Sequence, residues 1–357
     1  MSRSPGPHPV PRRERTRGGR LSTRVRTGVI GAGGLGIHHV RILRDMLGPD
    51  FAGFYEANAE RASKVAADLG VRAHESLDSL LDVADAVTIV VPTPLHFAVA
   101  QQVLARGIHA MIEKPIAATL DEADAMLALA AKHGAVVQTG HVERFNRAIR
   151  AALPYVDAPR FIESDRLAPF NPRGSDVAVV LDLMIHDIDL VHTLVGGKAS
   201  SVSAVGVPVL TPFVDIANAR LTFDSGAVAN ITASRVSRER MRKIRIFQQS
   251  GYLSLDLGAG NGEFYRLRGD VDFASIANAP LALEQFVERI PVEAEDGEPL
   301  RLEFESFLAA VRGEAPVAVT GEAGREALAV ALQIVRDIER TLPALAGRGH
   351  SLPSARA

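Results

Sequence analysis

The chain of 357 residues contains no cysteine, which excludes structural disulfides and thiolate metal sites. It also lacks any run of the ~18 consecutive apolar residues that a membrane-spanning helix needs, so no membrane partner is predicted. A strong charge imbalance is missing too, because the formal net charge is -2 and charged residues make up 23%. This composition predicts a globular protein and argues against one that binds polyanions. At this length two domains are expected.

The first residues are rich in Arg, Pro and Gly and poor in apolar side chains. They predict a flexible basic tail over 1–24, and the other chain end predicts a second flexible tail over 344–357. Arg12 and Arg13 precede an apolar stretch, which raises twin-arginine export as an alternative. No small-residue cleavage site follows them, so a cytoplasmic protein is the favoured interpretation.

A glycine-rich turn follows the first apolar segment. The sequence "RTGVIGAGGLGIHHVRIL" predicts a strand over 25–30, a turn, and a helix that begins near Leu35. Glycines at this spacing let the backbone approach a pyrophosphate, and the free amides of a helix N-terminus attract phosphate. A glycine turn without a ligand is the alternative interpretation. The positions predicted to bind a dinucleotide here are Gly31, Gly33, Gly34, Leu35 and Gly36.

Glu56 ends the next predicted strand, about 20 residues after the turn, where an acid accepts hydrogen bonds from the ribose hydroxyls of NAD. A carboxylate at that place repels the 2′-phosphate of NADP. The sequence therefore predicts NAD as the cofactor and disfavours NADP. Arg61, one helical turn further on, is predicted to line the same site and weakens this preference.

Predicted strands and helices alternate over 25–140, including a short strand at 71–76. This pattern predicts an α/β domain with a doubly wound parallel sheet, a Rossmann domain that binds NAD. Ligands of such sheets lie at the carboxyl ends of the strands. Besides the turn and Glu56, that rule selects "PTPLH" and "EKP". The cofactor-site residues predicted there are Pro92, Thr93, Pro94, His96, Glu113 and Lys114.

The segment "LDLMIHDIDL" places polar groups in an apolar run. A helix over about 179–195 would bring Asp182, His186 and Asp189 onto one face. A solvated amphipathic helix is the alternative, but 177–195 contains no Lys, Glu or Arg, so a stripe that lines a cleft is favoured. A metal site would need further ligands at matching spacing, and none is indicated, so no metal is predicted.

These groups suit the oxidation of a secondary alcohol, in which a base takes the hydroxyl proton while hydride leaves the carbon. His186 is predicted to be the general base, because the pKa of histidine lies nearest neutrality. Asp182 is predicted to orient the imidazole. Lys114 is predicted to stabilise the developing alkoxide.

Long strands dominate the second half, and "FDSGAVAN" predicts a hairpin with Gly226 at its turn. An α+β domain over 141–343 is expected, with a large, mostly antiparallel open sheet for substrate binding and oligomerisation. Its final helices are expected to pack back on the first domain. An open sheet leaves a face and edges to cover, so a homodimer or homotetramer formed through this sheet is predicted.

With these residues in view, the chain resembles the glucose-fructose oxidoreductase, inositol dehydrogenase and rhizopine-catabolism (Gfo/Idh/MocA) family. The similarity extends over 25–343, and its most specific elements are "EKP" and the D-x-x-x-H pair Asp182/His186. The resemblance implies that Lys114 and His186 face the nicotinamide and the reacting hydroxyl. It also implies that the segment 93–96 lies under the nicotinamide half of the cofactor.

The resemblance further implies that "GHVERFNR" crosses into the second domain near the substrate, with Arg144 and Asn146 as candidate ligands. Relatives commonly carry proline where this chain has Arg147, so the resemblance does not predict the local backbone conformation. The loop before the catalytic helix adds Arg166, Asn171 and Arg173 as predicted substrate ligands.

Guanidinium groups bind phosphate well, and the hairpin "SRVSRERMRKIRIF" contains further arginines. The sequence therefore favours a substrate that carries a diphosphate. A solvated basic hairpin is the alternative, and the near-neutral chain predicts no nucleic-acid partner. Several phrases resemble family members that oxidise the 3-hydroxyl of UDP-N-acetylglucosamine for lipid A or cell-surface sugar biosynthesis. Two alternative functions are left by the sequence. One is a free-polyol dehydrogenase, for example one acting on inositol, and the other is a non-catalytic NAD-sensing regulator.

Overall fold

The computed structural model describes residues 24–172, 174–269 and 283–342. Apart from Arg24, the two predicted tails lie outside these residues, as does Arg173. No helix among the described residues is long and apolar enough to cross a membrane.

The first domain is a parallel five-stranded sheet in the order β2-β1-β3-β4-β5. Its strands are β1 (Thr27–Ile30), β2 (Phe51–Tyr55), β3 (Ala86–Ile89), β4 (His109–Glu113) and β5 (Val137–Gly140). Its helices are α1 (Gly36–Leu47), α2 (Ala59–Leu69), α3 (Leu77–Leu81), α4 (His96–Ala105) and α5 (Leu120–His133). Helices cover both faces of the sheet, which is why β1 and β3 are buried at every position.

The prediction of a strand at 71–76 is wrong. The chain there makes a single parallel bridge, between Ala73 and Phe54 of β2. With that bridge counted as an edge position, the strand order is the one typical of dinucleotide-binding domains. The bridge is short because Ser76 already caps α3, so few residues are left for pairing.

The second domain begins with α6 (Arg147–Ala152) and contains an eight-stranded sheet in the order β13-β12-β11-β10-β6-β9-β8-β7. Strands β6 and β9 pair in parallel, whereas their neighbours pair antiparallel. The predicted fold class, a Rossmann domain followed by an α+β domain with a mostly antiparallel sheet, is confirmed. The strands are β6 (Phe161–Leu167), β7 (Ala199–Val207), β8 (Ile216–Phe223), β9 (Val228–Ser234), β10 (Met241–Gln248), β11 (Gly251–Asp256), β12 (Asn261–Leu267) and β13 (Val287–Val292).

The β8–β9 hairpin turns where the sequence predicts it. Gly226 has φ +77°, and its amide donates to the carbonyl of Phe223. A left-handed turn residue of this kind favours glycine. Strand β13 was not predicted from the sequence.

The helix predicted over 179–195 has two parts. A π-helical turn, Val180–Met184, precedes the α-helix α7 (Ile185–Val195). The apolar side of this segment, with Met184 and Ile188, packs against the inner face of the eight-stranded sheet. A π turn inserts an extra residue, so the side chains before and after it do not follow one uniform helical stripe.

The final helices connect the two domains. The short α8 (Leu283–Phe286) precedes β13, and α9 (Pro299–Arg312) and α10 (Gly321–Thr341) follow it. Phe304 of α9 packs in the same cluster as Val29 of β1. Leu328 of α10 joins the core of the parallel sheet, while Ile334 of the same helix joins the core of the second domain.

Candidate active site

The cleft lies where the strand order of the parallel sheet reverses, between β1 and β3. Ligands of open α/β sheets bind at such a switch point, outside the carboxyl ends of the strands. The glycine-rich turn follows β1 at this place, and the segment 92–96 follows β3. Lys114 follows β4, the next strand in the sheet.

The geometry of the turn separates the roles of its glycines. A Cβ on Gly36 would lie 2.0 Å from the carbonyl oxygen of Gly31, and Gly31 itself has φ +92°. Glycine is therefore required at both positions by the packing of the helix on the strand. A Cβ on Gly33 would meet open space. Gly33 therefore leaves room on the cleft side, where a pyrophosphate approaches the backbone.

The N-terminus of α1 and the end of β2 complete the cofactor fit. Leu35 precedes the first turn of α1, which contains no acid, so the positive end of the helix dipole favours an anion there. Glu56 accepts hydrogen bonds from the amides of Ala32 at 2.8 Å and Asn58 at 3.0 Å. A carboxylate has about four acceptor positions, which leaves room for a ribose diol. Arg61 Nη1 lies 3.6 Å from Glu56 Oε1.

The segment after β3 forms a 3-10 turn, Thr93–Leu95, with Thr93 half-buried and Pro92 and Pro94 exposed. His96 is buried, and its ring nitrogens lie 2.9 Å from the carbonyl oxygens of Pro115 and Val91. Burial lowers the pKa of His96. This histidine therefore ties the loop after β3 to the loop after β4, and it does not face the cleft as a cofactor ligand.

Lys114 joins the two domains. Its ammonium donates to the backbone carbonyl oxygen of Asp182 at 2.6 Å and lies 3.6 Å from Asp182 Oδ1. Burial lowers the pKa of Lys114, although Asp182 and Glu113 act in the opposite direction. The Lys114–Pro115 peptide bond is cis.

His186 lies one turn beyond Asp182, at the start of α7. Burial lowers the pKa of His186 well below its ordinary value, and the positive charges of Lys114, Arg166 and Arg242 lower it further. The ring is therefore neutral at pH 7 and able to accept a proton. Its Nδ1 is buried and has no hydrogen-bond partner among the described residues. The carboxylate of Asp182 contacts Lys114, and no hydrogen bond joins it to His186 Nδ1, so the orientation of His186 by Asp182 stays a prediction.

The predicted substrate ligands Arg144 and Asn146 have protein partners. Arg144 forms a bidentate pair with the buried Asp189, at 2.7 and 2.6 Å, and also donates to the carbonyl oxygen of Ala318. Asn146 caps α6 by accepting from the amide of Ala148, and its amide group donates to Glu143 and to a backbone carbonyl. Both residues position the start of the second domain, and they do not offer free groups to a substrate.

Arg166 is also engaged. Its guanidinium is buried between Asp187, at 2.6 and 3.0 Å, and Glu143, at 2.8 Å. The prediction of Arg166 as a direct phosphate ligand is therefore revised, because acids distant in the sequence saturate the guanidinium. Asn171 is exposed in the loop after β6. Arg173 falls outside the described residues.

The arginines of the basic hairpin differ in the same respect, because some are engaged by protein groups and others are partly exposed. Arg235 is buried, donates to the carbonyl oxygens of Gly174 and Val177, and thereby fixes the loop that precedes the catalytic helix. Arg242 pairs with Glu143 at 3.1 Å, but about a third of its side chain is exposed. Arg242 lies opposite Arg166 in the β6–β10 pairing. The sequence indicated Arg242 only as one basic residue of the hairpin, and the structure places it among the cations near His186.

A buried polar cluster lies behind Lys114. Glu113 Oε1 lies 3.2 Å from His39 Nε2, and burial alone would raise the pKa of Glu113, but the contacts with His39 and Lys114 hold that pKa below its ordinary value. Glu303 of α9 is fully buried, and its carboxyl oxygens have no hydrogen-bond partner within the described ranges. Burial, with the carboxylates of Glu113 and Asp189 nearby, raises the pKa of Glu303 well above its ordinary value.

His141 is the further residue that sequence reasoning missed. It directly follows β5, is 1% exposed, and lies edge-on to His186 with 6.4 Å between the ring centroids. The rule that selected Lys114, a polar group at the carboxyl end of a parallel strand, also selects His141. In residues 24–172, 174–269 and 283–342, no three His, Asp or Glu side chains are grouped so as to hold a metal ion.

Comparison with known proteins agrees with this arrangement. Residues 25–141 match the profile of an oxidoreductase family with an NAD-binding Rossmann fold, Gfo/Idh/MocA. Residues 157–254 match the C-terminal domain of the same family. The chain belongs to the Gfo/Idh/MocA family. It is an oxidoreductase that acts on CH–OH groups, and the predicted NAD-binding domain is confirmed.

Three relatives illustrate the range of the Gfo/Idh/MocA family. UDP-N-acetylglucosamine 3-dehydrogenase from Acidithiobacillus ferrooxidans is 41% identical over 89% of this chain and 98% of its own, and its structure, GnnA, superposes with a TM-score of 0.81. A scyllo-inositol 2-dehydrogenase from Bacillus subtilis is 29% identical over 61% of this chain and 69% of its own. WlbA from Bordetella pertussis, solved with NADH and UDP-GlcNAcA, is 18% identical, covers 89% of this chain and 97% of its own, and shares the fold with a TM-score of 0.70.

Gly33 and Gly36 are expected to respond differently to the same substitution. Gly36→Ala should lower the melting temperature, because its methyl group would meet a backbone oxygen at 2.0 Å, an overpacking cost of about 1–3 kcal/mol. Gly33→Ala should leave the melting temperature unchanged but weaken NADH binding about tenfold. Thermal unfolding and NADH fluorescence titration measure the two effects. Equal loss of stability in both variants, or full NADH affinity in Gly33→Ala, would contradict this division of roles.

Glu303 should make stability depend on pH. Its carboxyl keeps its proton in the folded state, while the unfolded chain loses that proton above the ordinary glutamate pKa, so folding stability falls as pH rises between the two pKa values. Glu303→Gln cannot ionise. Its stability relative to the native chain should therefore rise with pH, by up to about 1.4 kcal/mol per unit.

Urea denaturation at several pH values above the ordinary glutamate pKa measures this difference. Glu305→Gln is the matched control, because Glu305 lies on the same helix with its side chain exposed. The two variants should diverge as pH rises. A difference between Glu303→Gln and the native chain that stays constant with pH would show that Glu303 is ionised in the folded protein.

Proposed function

We propose that this protein oxidises a secondary hydroxyl of a nucleotide sugar with NAD, the favoured reaction being that of the 3-hydroxyl of UDP-N-acetylglucosamine to the 3-keto sugar. One observation carries the proposal. Lys114, from the carboxyl end of β4, meets the Asp182–His186 segment of the second domain at the edge of the parallel sheet that also carries the glycine turn.

The residues divide the chemistry as follows. NAD, when bound, supplies the hydride acceptor. His186, kept neutral by burial and by the cations around it, takes the hydroxyl proton as the carbon gives up hydride. The ammonium of Lys114 stabilises the negative charge that develops on the substrate oxygen. Asp182 holds that ammonium in the cleft through its carbonyl oxygen and its carboxylate.

Two observations support a nucleotide sugar. The relative with this activity by name is 41% identical over 89% of the chain. Arg242 is partly exposed beside the site, and Arg238 and Arg240 are exposed on the same hairpin, so guanidinium groups remain for a diphosphate although Arg166 is buried. We assign the phosphate contacts to these residues. A 3-keto sugar is a natural substrate for an aminotransferase, and on this chemistry we place the reaction in lipid A or cell-surface sugar synthesis.

The proposal predicts formation of NADH from NAD and UDP-N-acetylglucosamine, followed by the absorbance of NADH. His186→Ala should reduce kcat about 10²- to 10⁴-fold and Lys114→Met about 10²- to 10³-fold. Because the pKa of His186 is lowered, kcat/KM should hold below about pH 6.5 and fall only where the imidazole becomes protonated. His133→Ala, at an exposed position at the end of α5, is the control and should retain full turnover.

The same assay separates the alternatives. Turnover of free inositol without turnover of nucleotide sugars would identify a polyol dehydrogenase, the activity that the scyllo-inositol relative carries by name. NADH binding without turnover of any sugar or polyol would leave a cofactor-sensing regulator. Either outcome rejects the nucleotide-sugar proposal.

We also propose that the outer face of the eight-stranded sheet joins two or more subunits. Four half-buried aromatic rings stack across neighbouring strands on this face. In order they are Phe161, Phe247, Tyr252 and Tyr265, with 5.6, 4.8 and 5.6 Å between successive centroids. Val205 and Val207 of the edge strand β7 are about half exposed. Light scattering should find a dimer or tetramer, and Tyr252→Arg should shift it toward the monomer. A native monomer would reject this interface.

A further inference from the structure

His141 is a buried histidine whose polar atoms are not satisfied by the protein. It is 1% exposed, and both ring nitrogens are buried without a hydrogen-bond partner in the described part of the chain. Buried polar groups of this kind are rare and call for an explanation. Because His141 follows β5 directly, its backbone is fixed by the parallel sheet.

The neighbours of His141 form a line toward the cleft. On one side its Nε2 lies 4.0 Å from Asp189 Oδ1, and Asp189 is held by both arms of the Arg144 guanidinium. On the other side the ring faces His186 edge-on, with 6.4 Å between centroids. The buried nitrogen of His186 is Nδ1, and it has no partner among the described residues.

The chemistry of a general base requires one particular tautomer. A neutral imidazole carries a single proton, so the outer nitrogen of His186, Nε2, accepts a substrate proton only when Nδ1 carries the ring proton. A buried Nδ1–H without an acceptor is costly. The base therefore needs an acceptor on its inner side, and no described residue, Asp182 included, accepts a hydrogen bond from His186 Nδ1.

We propose that His141 is a positioning residue that fixes the tautomer of His186, and that Asp189 in turn fixes the tautomer of His141. Asp189 Oδ1, at 4.0 Å, accepts the proton of His141 Nε2–H once a small rotation of the His141 ring shortens this distance. The free Nδ1 of His141 accepts the proton of His186 Nδ1–H, through one bridging water or a small rotation of either ring. This inference rests on the proposed role of His186 as the base.

The line also stabilises the product of the proton transfer. When the substrate carbon gives up hydride to the nicotinamide, its hydroxyl proton moves to His186 Nε2 and the carbon–oxygen bond becomes a carbonyl. The imidazolium so formed faces three cations that disfavour it, Lys114, Arg166 and Arg242. On the His141 side the carboxylates of Asp189 and, more weakly, Glu113 favour a charged imidazole, while Arg144 and Lys114 oppose it. An acceptor chain that ends on Asp189 offsets part of that repulsion.

The decisive variants are His141→Leu and His141→Asn, which have nearly the same shape. The asparagine keeps an acceptor oxygen near the place of Nδ1, whereas the leucine has none. Asp189→Asn is the second test, because it keeps the shape of the carboxylate but removes its charge. His192→Leu is the matched control. His192 lies on α7 with His186, but its ring contacts the carbonyl of Ile188 and packs on Phe223.

Side-chain ¹⁵N spectra of histidine-labelled protein report the tautomer without any substrate. We expect the native His186 to carry its proton on Nδ1, and His141→Leu to move it to Nε2. His141→Asn should restore the native tautomer, Asp189→Asn should disturb it, and His192→Leu should leave it unchanged. In the NADH assay, His141→Leu should lower kcat on the order of 10- to 100-fold with KM within about threefold, a smaller loss than removal of the base itself.

An unchanged His186 tautomer in His141→Leu overturns the inference, even if activity falls, because the loss is then a general structural effect. Equal loss of kcat in His141→Leu and His192→Leu overturns it as well. The proposed function fails separately: a native protein that shows the expected tautomers but makes no NADH from any sugar rejects the reaction and leaves the histidine relay in place.

Discussion

The bond from the Lys114 ammonium to the backbone carbonyl of Asp182 joins the two domains at the cleft. An ammonium that is mostly buried is stable only where protein oxygens replace its water. The carbonyl and carboxylate of Asp182 provide that replacement. The contact therefore holds the first domain against the helical segment that carries His186, and it also brings a positive charge near that residue.

Three acids of the catalytic segment are each paired with a cation from a different part of the chain. Asp182 contacts Lys114 after β4, Asp187 pairs with Arg166 of β6, and Asp189 pairs with Arg144 after β5. Buried ion pairs add little net stability, since desolvation offsets much of their attraction. Their geometry is specific, however, and bidentate guanidinium pairs on two sides set the rotation of the helix that carries His186. The position of His186 is thus determined by ion pairs from three directions.

The environment of the glycine turn follows from requirements that are mostly local. A Cβ on Gly36 would meet the carbonyl oxygen of Gly31, and Gly31 has a positive φ, while its own Cβ would meet the carbonyl of Val90 after β3. Lys114 could be placed at a strand end because alternation of apolar strands and helices determines the parallel sheet. The roles of these residues toward cofactor and substrate stay predictions. Arg166 and Asn146 show the opposite case. Their side chains suit a ligand, but Asp187 and Glu143 pair with Arg166, and Asn146 bonds Glu143, Ala148 and the carbonyl of Leu257.

The sequence by itself determined the fold class and the glycine-rich turn, because periodicity and glycine spacing act over short stretches of chain. The residues of a hydride-transfer site stay a prediction from it. Only the tertiary structure decided which acid faces which cation. The π turn at Val180–Met184 shifts the helical face, so the expected stripe of three residues is divided among separate partners. His141 and Asp189 lie 48 residues apart and meet only because two domains pack at one cleft. Contacts of that range depend on how whole elements pack, and no local pattern encodes them.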